Sequence, residues 1–519
     1  MLFNSFFTSY AQQEQLFDDF LSLNEGKYRR IMDEPVTDDS YVRSVAEMKR
    51  FLEVYTGKIE IRQRCNNIKE AQKVADELGL SIDVNDFRIV WDSSFLQHHE
   101  GALWFGATDL VWRHRGFVQE KVNHRAKLQQ HDCVPKNERL RLWRRRQMNR
   151  VYTEMGTVTA RAVIHSPLMF ELSDGCSVGC WFCGVAAKKK GGDFLYTPEN
   201  VKLWRNILEF FNDFLGSAAG TGTCYYGTEP LDNPDYEKWC DLYTDIFGNF
   251  PQTTTAIALQ NVERTRHLIN HSRSRGAKIN RFSVLNSKIL DKIHATFSPL
   301  ELLYTELLTQ NLESVSMFSH SGRAREHREM FEKKAQITGT KMSAKPSSIC
   351  CITGFRLNMV RKTIELVTPC GADEIHPHGE YLLASGTFND VRDIEQIVTD
   401  WTNKIIVTVL LPRNLVALRP DLTARLDAEN NKLSFQNYTG TYTYTSQLAP
   451  FVFESLQSGQ YSAYQIAEQV CETNTNFSYE NVFAFLNELF QDGFLNESPE
   501  FFSKRRFEYQ SPNTTNDKE

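Results

Sequence analysis

The chain has 519 residues, 41% of them hydrophobic and 24% charged, and its formal net charge is -6. This length suggests roughly three domains. The composition is that of an ordinary soluble globular protein without a polycationic signature, so we expect no nucleic acid as a partner. No stretch approaches the roughly 18 consecutive apolar residues of a membrane span, and the N-terminus lacks a basic leader followed by a long apolar run. We therefore expect a cytoplasmic protein with no membrane partner.

Four regions follow one another along the chain. We predict a mainly helical region at 1–160, alternating strands and helices at 161–408, strands followed by helices at 409–500, and a disordered tail at 501–519. The first region contains a basic stretch at 139–146 with three apolar residues. Two interpretations fit this stretch: a solvated helix face, or a docking surface for an acidic peptide segment.

The second region has the pattern of an α/β fold. A short apolar strand is predicted at 168–172, and a later helix begins with Thr197 and Pro198 and ends at Gly216. Further strands are predicted at 223–226, 254–259, 282–285, 315–318 and 349–352. The segments between them are long enough for crossover helices, which implies a parallel sheet. Beyond the sixth strand, another apolar strand is predicted at 363–369.

A cysteine-rich loop at 173–184 follows the first predicted strand. Its thiols, four and three residues apart, are those of Cys176, Cys180 and Cys183. Three thiolates can hold three irons of a 4Fe-4S cluster, and with no fourth cysteine nearby one iron stays open for another ligand. An electron-transfer ferredoxin closes all four irons, and structural zinc usually takes paired CxxC halves or histidines. The spacing therefore predicts one cluster with an open iron. The eleven cysteines as a whole are scattered, unlike a disulfide framework, so we expect reduced thiols.

With the aromatic Phe182 before its last cysteine and flanking glycines, this motif resembles that of the radical S-adenosylmethionine (SAM) enzymes. In that family the free iron takes the amine and carboxylate of SAM. The resemblance implies a partial (β/α)6 barrel with its chemistry at the carboxyl ends of the strands.

The same resemblance implies SAM contacts at two further places. The residues at 227–230 look like the family's Gly-Gly-Glu-Pro stretch, which holds the SAM amine, and here they are Gly227, Thr228, Glu229 and Pro230. Because Thr228 replaces the second glycine, Glu229 either contacts the amine or stabilises nearby backbone. At the end of a later strand, Ser283 and Asn286 offer polar groups that similar enzymes use on the SAM ribose or carboxylate.

Segments 171–185 and 367–371 resemble more closely the PoyD-like radical SAM peptide epimerases of proteusin biosynthesis. In that family one cysteine outside the cluster donates a hydrogen atom, and by position this is Cys370. The resemblance implies that a 5′-deoxyadenosyl radical takes the α-hydrogen of an L-residue and that a thiol on the opposite face returns hydrogen, which leaves a D-residue. A small buried side chain without a chemical role is the other interpretation of Cys370. The other candidates for the hydrogen-atom donor are Cys224, Cys350 and Cys351.

The third region predicts a compact C-terminal unit. Strands are expected at 422–426, 433–436 and 441–444, and helices at 446–456, 462–472 and 479–491. The second of these helices should begin with a Ser-x-x-Gln capping box at Ser462. This order is similar to the winged-helix-like PqqD elements, which capture the leader of a ribosomally made precursor by adding it as a strand. A purely structural cap is another interpretation. A DNA-binding module is disfavoured, because the last helix has no Lys or Arg.

Together the resemblances imply a radical SAM epimerase, an isomerase that converts L-residues of a ribosomal precursor peptide to D-residues. Its cofactors would be one 4Fe-4S cluster and SAM, and its partners the precursor, with leader and core, and an external electron donor such as flavodoxin or ferredoxin. No second cysteine-rich motif follows residue 370, which favours a single cluster. The alternatives are another radical SAM peptide modification, such as a thioether or carbon–carbon crosslink, and a non-catalytic iron–sulfur protein that binds peptides.

Overall fold

The computed structural model describes residues 28–92, 108–316, 318–339, 347–497 and 507–509, together with residues 12, 15 and 19. The predicted disordered tail at 501–519 lies outside the described residues, apart from a three-residue strand at its centre. None of the described helices is both long and apolar enough to cross a membrane.

The N-terminal region is helical, as its sequence predicts. Its helices are α1 (Ser40–Gly57), α2 (Ile59–Arg64), α3 (Ile68–Glu77), α4 (Arg88–Trp91), α5 (Asp109–Lys127) and α6 (Glu138–Ala162), with a 3₁₀ turn at Val84–Phe87 and a π-helical turn at Leu128–Asp132. Aromatic side chains form the core of this region: the rings of Phe51 and Phe87 meet edge to face at 5.2 Å. The long helix α6 is kinked at Gly156, where φ is +80°.

The middle of the chain is a mixed α/β structure, which confirms the α/β part of the predicted fold class. Its helices are α7 (Pro198–Leu215), α8 (Tyr236–Phe247), α9 (Val262–Ser274), α10 (Ser287–Thr296), α11 (Gly322–Glu326), α12 (Arg328–Thr338) and α13 (Val391–Lys404), with 3₁₀ turns at Gly216–Thr221 and Pro230–Asp232. Its strands are β1 (Ser166–Glu171), β2 (Ser173–Asp174), β3 (Gly192–Asp193), β4 (Thr254–Thr255), β5 (Asn280–Val284), β6 (Thr305–Thr309), β7 (Ile352–Asn358), β8 (Thr363–Pro369) and β9 (Glu380–Thr387). The predicted helix after Thr197 is α7, and the Thr197 side chain caps it.

Among the described residues, the strands of this region form three sheets. Strands β4, β5 and β6 are parallel, and β1 is parallel to β7. Strands β7, β8 and β9 are antiparallel, however, because short connections join them, and β13 (Phe507–Tyr509) pairs with the far side of β9. Strands β2 and β3 form a small hairpin. The described strands therefore do not join into one continuous parallel barrel.

Two of the predicted strands are wrong, and a third, 349–352, overlaps β7 only at Ile352. Segment 223–226 has no regular strand, although the Phe170 N–H donates to the Thr223 carbonyl at 3.0 Å, so this segment runs beside β1. Gly222 lies so close to β1 that a Cβ there would come within 2.0 Å of the Leu168 carbonyl oxygen. Residues 315, 316 and 318 are also not in a strand. The strand in that part of the chain is β6, which the apolar pattern did not reveal, because its middle residues are only partly buried.

The C-terminal unit follows its predicted element order. Strands β10 (Thr423–Asp427), β11 (Lys432–Asn437) and β12 (Gly440–Thr445) form an antiparallel sheet, followed by α14 (Ala449–Ser458), α15 (Ala463–Thr473) and α16 (Tyr479–Gln491). The predicted capping box at the start of α15 is present, with the side chains of Ser462 and Gln465 bonded to each other's backbone N–H groups. The sheet and helices share one hydrophobic core, which contains Phe435, Val452 and Leu486.

The basic stretch at 139–146 is a solvated helix face only at Arg141 and Arg145, which are exposed. It forms the first turns of α6, and the side chains of Arg144 and Arg146 are buried. Arg144 donates to the carbonyls of Gln129 at 2.6 Å and His165 at 2.7 Å. Arg146 pairs with Glu497 at 2.8 Å. These guanidinium groups therefore hold the interior together and are not free to bind an acidic peptide.

We expect Arg146→Met to destabilise the protein by about 3 kcal/mol, because it leaves the half-buried Glu497 carboxylate without its charged partner. Chemical denaturation followed by tryptophan fluorescence measures this loss. The matched control is Arg145→Met, at an exposed position of the same helix, which should have little effect.

Although burial raises the pKa of Glu497, the charges of Arg146 and Arg150 hold this pKa below its ordinary value of 4.5. The stabilisation by this pair is therefore present above pH 4.5, and the two proteins should converge in stability as the pH falls below it.

Candidate functional site

The cysteine loop (residues 175–187) connects β2 with the segment leading to β3. Gly175 and Gly179 have positive φ, +77° and +66°. A Cβ at residue 175 would lie 2.5 Å from the Lys189 carbonyl oxygen, so only glycine fits where the two arms of the loop meet. The arms are joined by a hydrogen bond from the Cys176 N–H to the Lys188 carbonyl at 2.8 Å.

The three thiols of this loop are all half-buried. The Val178 N–H points to the Cys176 sulfur at 3.5 Å, and the Ala187 N–H points to the Cys183 sulfur at 3.4 Å. Burial, together with the charges of its two neighbouring cysteines, raises the pKa of Cys180 to about 12.

The donor set fits an iron–sulfur cluster in its chemistry, since cluster irons take thiolates and the sulfurs accept backbone N–H groups. Within the described ranges, no group of three or more His, Cys, Asp or Glu side chains converges in a geometry that would hold a metal ion. The loop thus carries suitable donors without closing them around a metal.

Arg323, at the start of α11, holds the cysteine loop from outside. Its side chain donates to the Cys180 carbonyl at 2.7 Å and to the Ala187 carbonyl, and its backbone N–H donates to the Cys183 carbonyl at 2.9 Å. The preceding Gly322 has φ +53°, and a Cβ there would lie 2.5 Å from the Cys183 carbonyl oxygen. The sequence gives no spacing that distinguishes Arg323 from other arginines, so sequence reasoning missed it.

Phe182 is part of an aromatic cluster beneath the loop. Its ring stacks on Phe318 at 5.4 Å, with 7° between the planes, and Trp181 meets both rings edge to face. The described contacts of Phe182 therefore fix the loop by packing.

The turn at 227–230 is tied to the cysteine loop through a residue that the motif did not indicate. Asp232, in the 3₁₀ turn that begins at Pro230, accepts a hydrogen bond from the Ser177 N–H at 2.9 Å. Gly227 donates its N–H to Glu171 at 2.8 Å, at the end of β1. Thr228 is half-buried between these anchors.

Glu229 stabilises backbone, which is one of the two roles predicted for it. Its carboxylate is buried and accepts from the Thr255 hydroxyl at 2.6 Å, the Ala256 N–H at 2.8 Å and the Leu231 N–H at 3.2 Å. Burial raises the pKa of Glu229 to about 7, although these hydrogen bonds oppose the shift. The turn is thereby fixed to β4.

Ser283 and Asn286 lie at the end of β5, as their segment predicts. Ser283 is half-buried in the strand. Asn286 is exposed, and its side chain accepts from the Ile289 N–H at 2.9 Å, which caps α10. The described role of Asn286 is therefore that of a helix cap.

Cys370 directly follows β8, and its thiol is buried, with 1% of the residue exposed. Its N–H donates to the Gly379 carbonyl at 2.9 Å and closes the Cys370 loop (residues 370–379). Burial and the charge of Glu154 raise the pKa of this thiol well above its ordinary value. Cys370 therefore carries an S–H group at neutral pH.

The Cys370 loop and the cysteine loop are held by the same dipeptide. Gly322 donates its N–H to the Pro377 carbonyl at 2.7 Å, while Arg323 binds the carbonyls of the cysteine loop. Ser347 joins the Cys370 loop to the residues just before Gly322, because its carbonyl accepts from the Ala372 N–H at 3.2 Å and its hydroxyl accepts from the His320 N–H at 2.7 Å. The structure thus brings together two loops that are nearly 200 residues apart in sequence.

Of the rival cysteines, Cys224 is a core residue beside Cys240 in the main hydrophobic cluster. Cys350 is buried against Met169 and Val367, with the Tyr226 ring packed beside it. Cys351 is half-buried. Cys350 therefore remains the nearest competitor of Cys370 in position.

A buried ionic network links the turn at 227–230 to β9. The Tyr226 hydroxyl donates to Glu380 at 2.7 Å, and Arg356 donates to both oxygens of Glu380 at 2.8 Å. The Arg356 guanidinium also lies over the Tyr226 ring at 4.5 Å. Sequence reasoning missed this network, because its members come from three distant segments.

These features define a mixed α/β protein with two thiol-bearing loops held side by side. No protein-family model matches the chain. It is 33% identical over 351 residues, 67% of each chain, to the uncharacterized protein y4wI of Sinorhizobium fredii (strain NBRC 101917 / NGR234). The chain therefore belongs to the family of y4wI.

Among solved structures, the chain is similar to BtrN, crystallised in complex with AdoMet and 2-DOIA. The match has a TM-score of 0.21 and 14% identity, and it covers 28% of this chain and 56% of the BtrN chain.

The raised pKa of Glu229 predicts a pH dependence of stability. A carboxyl whose folded pKa is raised stabilises the fold fully below its ordinary pKa of 4.5, and that stabilisation is lost as the pH rises through about 7. Relative to Glu229→Gln, the wild type should therefore lose about 3 kcal/mol of unfolding free energy across this range. Denaturation curves at several pH values measure the difference. Glu263→Gln, at an exposed carboxylate, is the control whose difference from wild type should stay flat; a flat curve for Glu229→Gln would contradict the assignment.

Proposed function

We propose that this protein is a radical SAM peptide epimerase, which converts L-residues of a ribosomally made precursor peptide to D-residues. The observation that carries the proposal is the shared anchor of the two thiol-bearing loops. Gly322 and Arg323 bind the cysteine loop on one side and the Cys370 loop on the other. A cluster that generates a radical and a thiol that quenches it must both reach one carbon atom, so this proximity favours the proposal.

Cys176, Cys180 and Cys183 are the residues that we propose hold one 4Fe-4S cluster, with SAM on the remaining iron. When bound, this pair would supply a one-electron cleavage of SAM and the abstraction of an α-hydrogen, the electron coming from a donor such as flavodoxin or ferredoxin. The turn from Gly227 to Pro230 would bind the SAM amine through its carbonyl oxygens, because the Glu229 carboxylate is already engaged with protein donors. Ser283 is our candidate for a ribose contact.

Cys370 is the proposed hydrogen-atom donor. Its buried S–H bond would break homolytically and give one hydrogen atom to the planar α-carbon, which forms a C–H bond on the face opposite to the one that lost hydrogen. The thiyl radical left behind would need one electron and one proton from an external reductant to become a thiol again. Because Cys370 is protonated in its buried position, it has the hydrogen atom that this step requires.

The C-terminal unit is the proposed site for the leader of the precursor. In the sheet β10–β11–β12, each outer strand has one paired neighbour within the described residues. An outer strand offers free backbone donors and acceptors, to which a leader segment can add as a further strand.

We expect Cys176→Ala, Cys180→Ala and Cys183→Ala each to lose most of the bound iron and sulfide, because the cluster would keep only two protein ligands. Iron and sulfide assays after anaerobic reconstitution, with visible absorption spectra, measure this. Cys471→Ala, in the C-terminal unit, is the matched control and should keep the iron of the wild type. Unchanged iron in all three variants, or zinc in the wild type, would exclude the proposed cluster.

In deuterium oxide, the reconstituted protein should add one deuterium for each converted residue of its precursor, with no other mass change, because the exchangeable S–H of Cys370 supplies the new hydrogen. Peptide mass spectrometry and chiral amino-acid analysis measure the product, and 5′-deoxyadenosine is quantified in parallel. A crosslinking enzyme would remove two hydrogens from the peptide, and a pure binding protein would form no 5′-deoxyadenosine.

Cys370→Ala should keep the formation of 5′-deoxyadenosine and lose the D-product. Cys350→Ala is the discriminating control, since Cys350 is also a buried thiol and packs beside Tyr226, the residue before the turn at 227–230. If Cys350→Ala lost the D-product while Cys370→Ala kept it, the donor would be Cys350.

A further inference from the structure

The backbone on both sides of Cys370 is bound by two side chains of α6. The Pro369 carbonyl accepts a hydrogen bond from the Arg150 guanidinium, and the Gly371 N–H donates to Glu154 Oε1 at 2.6 Å. Arg150 and Glu154 lie four residues apart and form an ion pair with each other. One ion pair therefore holds the peptide groups directly before and after the cysteine.

The Arg150 side chain has little freedom to move. It is buried, with 3% of the residue exposed, and its Nε donates to Gln147 at 2.9 Å. Its guanidinium lies over the Tyr381 ring at 4.8 Å, in the strand that follows the Cys370 loop. Because Gln147 binds the edge of the guanidinium and Tyr381 packs on its face, the guanidinium has one orientation. The Pro369 carbonyl that it binds is therefore held in place as well.

We infer that Arg150 and Glu154 are positioning residues, which fix the Cys370 thiol at the place from which it delivers its hydrogen atom. This inference rests on the proposed function, because only a hydrogen-atom donor needs a fixed thiol position. The contacts of Arg150 and Glu154 themselves are observed in the structure. Hydrogen-atom transfer requires the S–H group to lie within contact of the α-carbon, and a displacement of about 1 Å at a reacting group can cost on the order of a hundredfold in rate. Cys370 is the first residue after β8, whose last paired residue is Pro369, and its N–H still donates to the Gly379 carbonyl. The two α6 side chains hold the peptide groups on both sides of Cys370 where the sheet pairing stops.

The same ion pair could instead have a purely structural role, in which it only attaches α6 to the sheet. A set of variants distinguishes this structural role from the positioning of Cys370. The variants are Glu154→Ala, Glu154→Gln and Arg150→Lys. The control is Arg141→Ala, at an exposed position of the same helix whose described ion pair is with Glu138. Glu154→Gln keeps a carbonyl oxygen that can accept from Gly371, but it removes the charge that pairs with Arg150. It should therefore rescue part of the defect of Glu154→Ala.

The first readout needs neither cofactor nor substrate. The purified full-length protein is treated with iodoacetamide, and the alkylation rates of Cys370 and Cys350 are measured from the same peptide digest. We expect Glu154→Ala to raise the rate at Cys370 about tenfold relative to Cys350, since one hydrogen bond to the loop is lost. Glu154→Gln and Arg150→Lys should lie in between, and Arg141→Ala should match the wild type. An equal increase at both cysteines, or no increase at Cys370, would overturn the inference.

The second readout is the ratio of 5′-deoxyadenosine to D-residue formed with the precursor peptide. A misplaced thiol should raise this ratio about tenfold in Glu154→Ala and less in Glu154→Gln, because α-hydrogen abstraction continues while hydrogen return fails. An unchanged ratio would also overturn the inference. If the wild type forms no D-residue, the proposed function fails, and the alkylation rates still decide whether the ion pair holds Cys370. Should Glu154→Ala not fold, Glu154→Gln and Arg150→Lys carry both readouts.

Discussion

The structure depends on how the carbonyl groups of its irregular loops are satisfied. Within helices and sheets most carbonyls accept a hydrogen bond from a backbone N–H. An irregular loop has carbonyls without such a partner, and a buried carbonyl that stays unpaired costs free energy. Here arginine side chains pair them. Arg323 binds two carbonyls of the cysteine loop, Arg150 binds the carbonyl before Cys370, and Arg144 binds carbonyls beside β1. A guanidinium suits this role, since it has five donors in a fixed plane and keeps its charge.

Burying a charged guanidinium costs solvation free energy, and different arginines recover this free energy in different ways. Arg150 and Arg356 each have a buried or half-buried carboxylate partner, Glu154 and Glu380. Arg144 is bound mainly by carbonyl dipoles, and burial lowers its pKa. Since removing one partner of a buried pair is much more damaging than replacing both with apolar groups, such pairs define a unique geometry more than they add stability. For loops that must hold reactive groups at fixed positions, a unique geometry is the relevant benefit.

Local patterns in the sequence were sufficient for the parts of the fold that depend on local interactions. The helix after Thr197 and the capping box at Ser462 are where they were predicted, because caps and apolar periodicity are determined within a few residues. The topology of the sheets was harder to predict from the sequence. The strand β9 was not predicted and β7 to β9 are antiparallel, because pairing partners are chosen by distant packing that no single segment encodes. The same holds for the site: the cysteine spacing was visible in sequence, whereas Arg323, Asp232 and the Tyr226 network were not, since each acts through a contact with a remote segment.

Helix α6 joins the parts of the molecule that the sequence presents as separate regions. One set of its side chains faces the C-terminal unit: Arg146 pairs with Glu497, and Asn149 donates to the Gln491 carbonyl at 2.8 Å. The turns that follow hold the Cys370 loop through Arg150 and Glu154. Contact with the C-terminal unit is close here, since a Cβ at Gly493 would lie 2.6 Å from the Arg150 backbone. Because both sets of contacts lie on one continuous stretch of helix, a displacement of this part of α6 by the C-terminal unit would also displace the groups bound on both sides of Cys370. The position of this thiol is therefore a property of the whole chain.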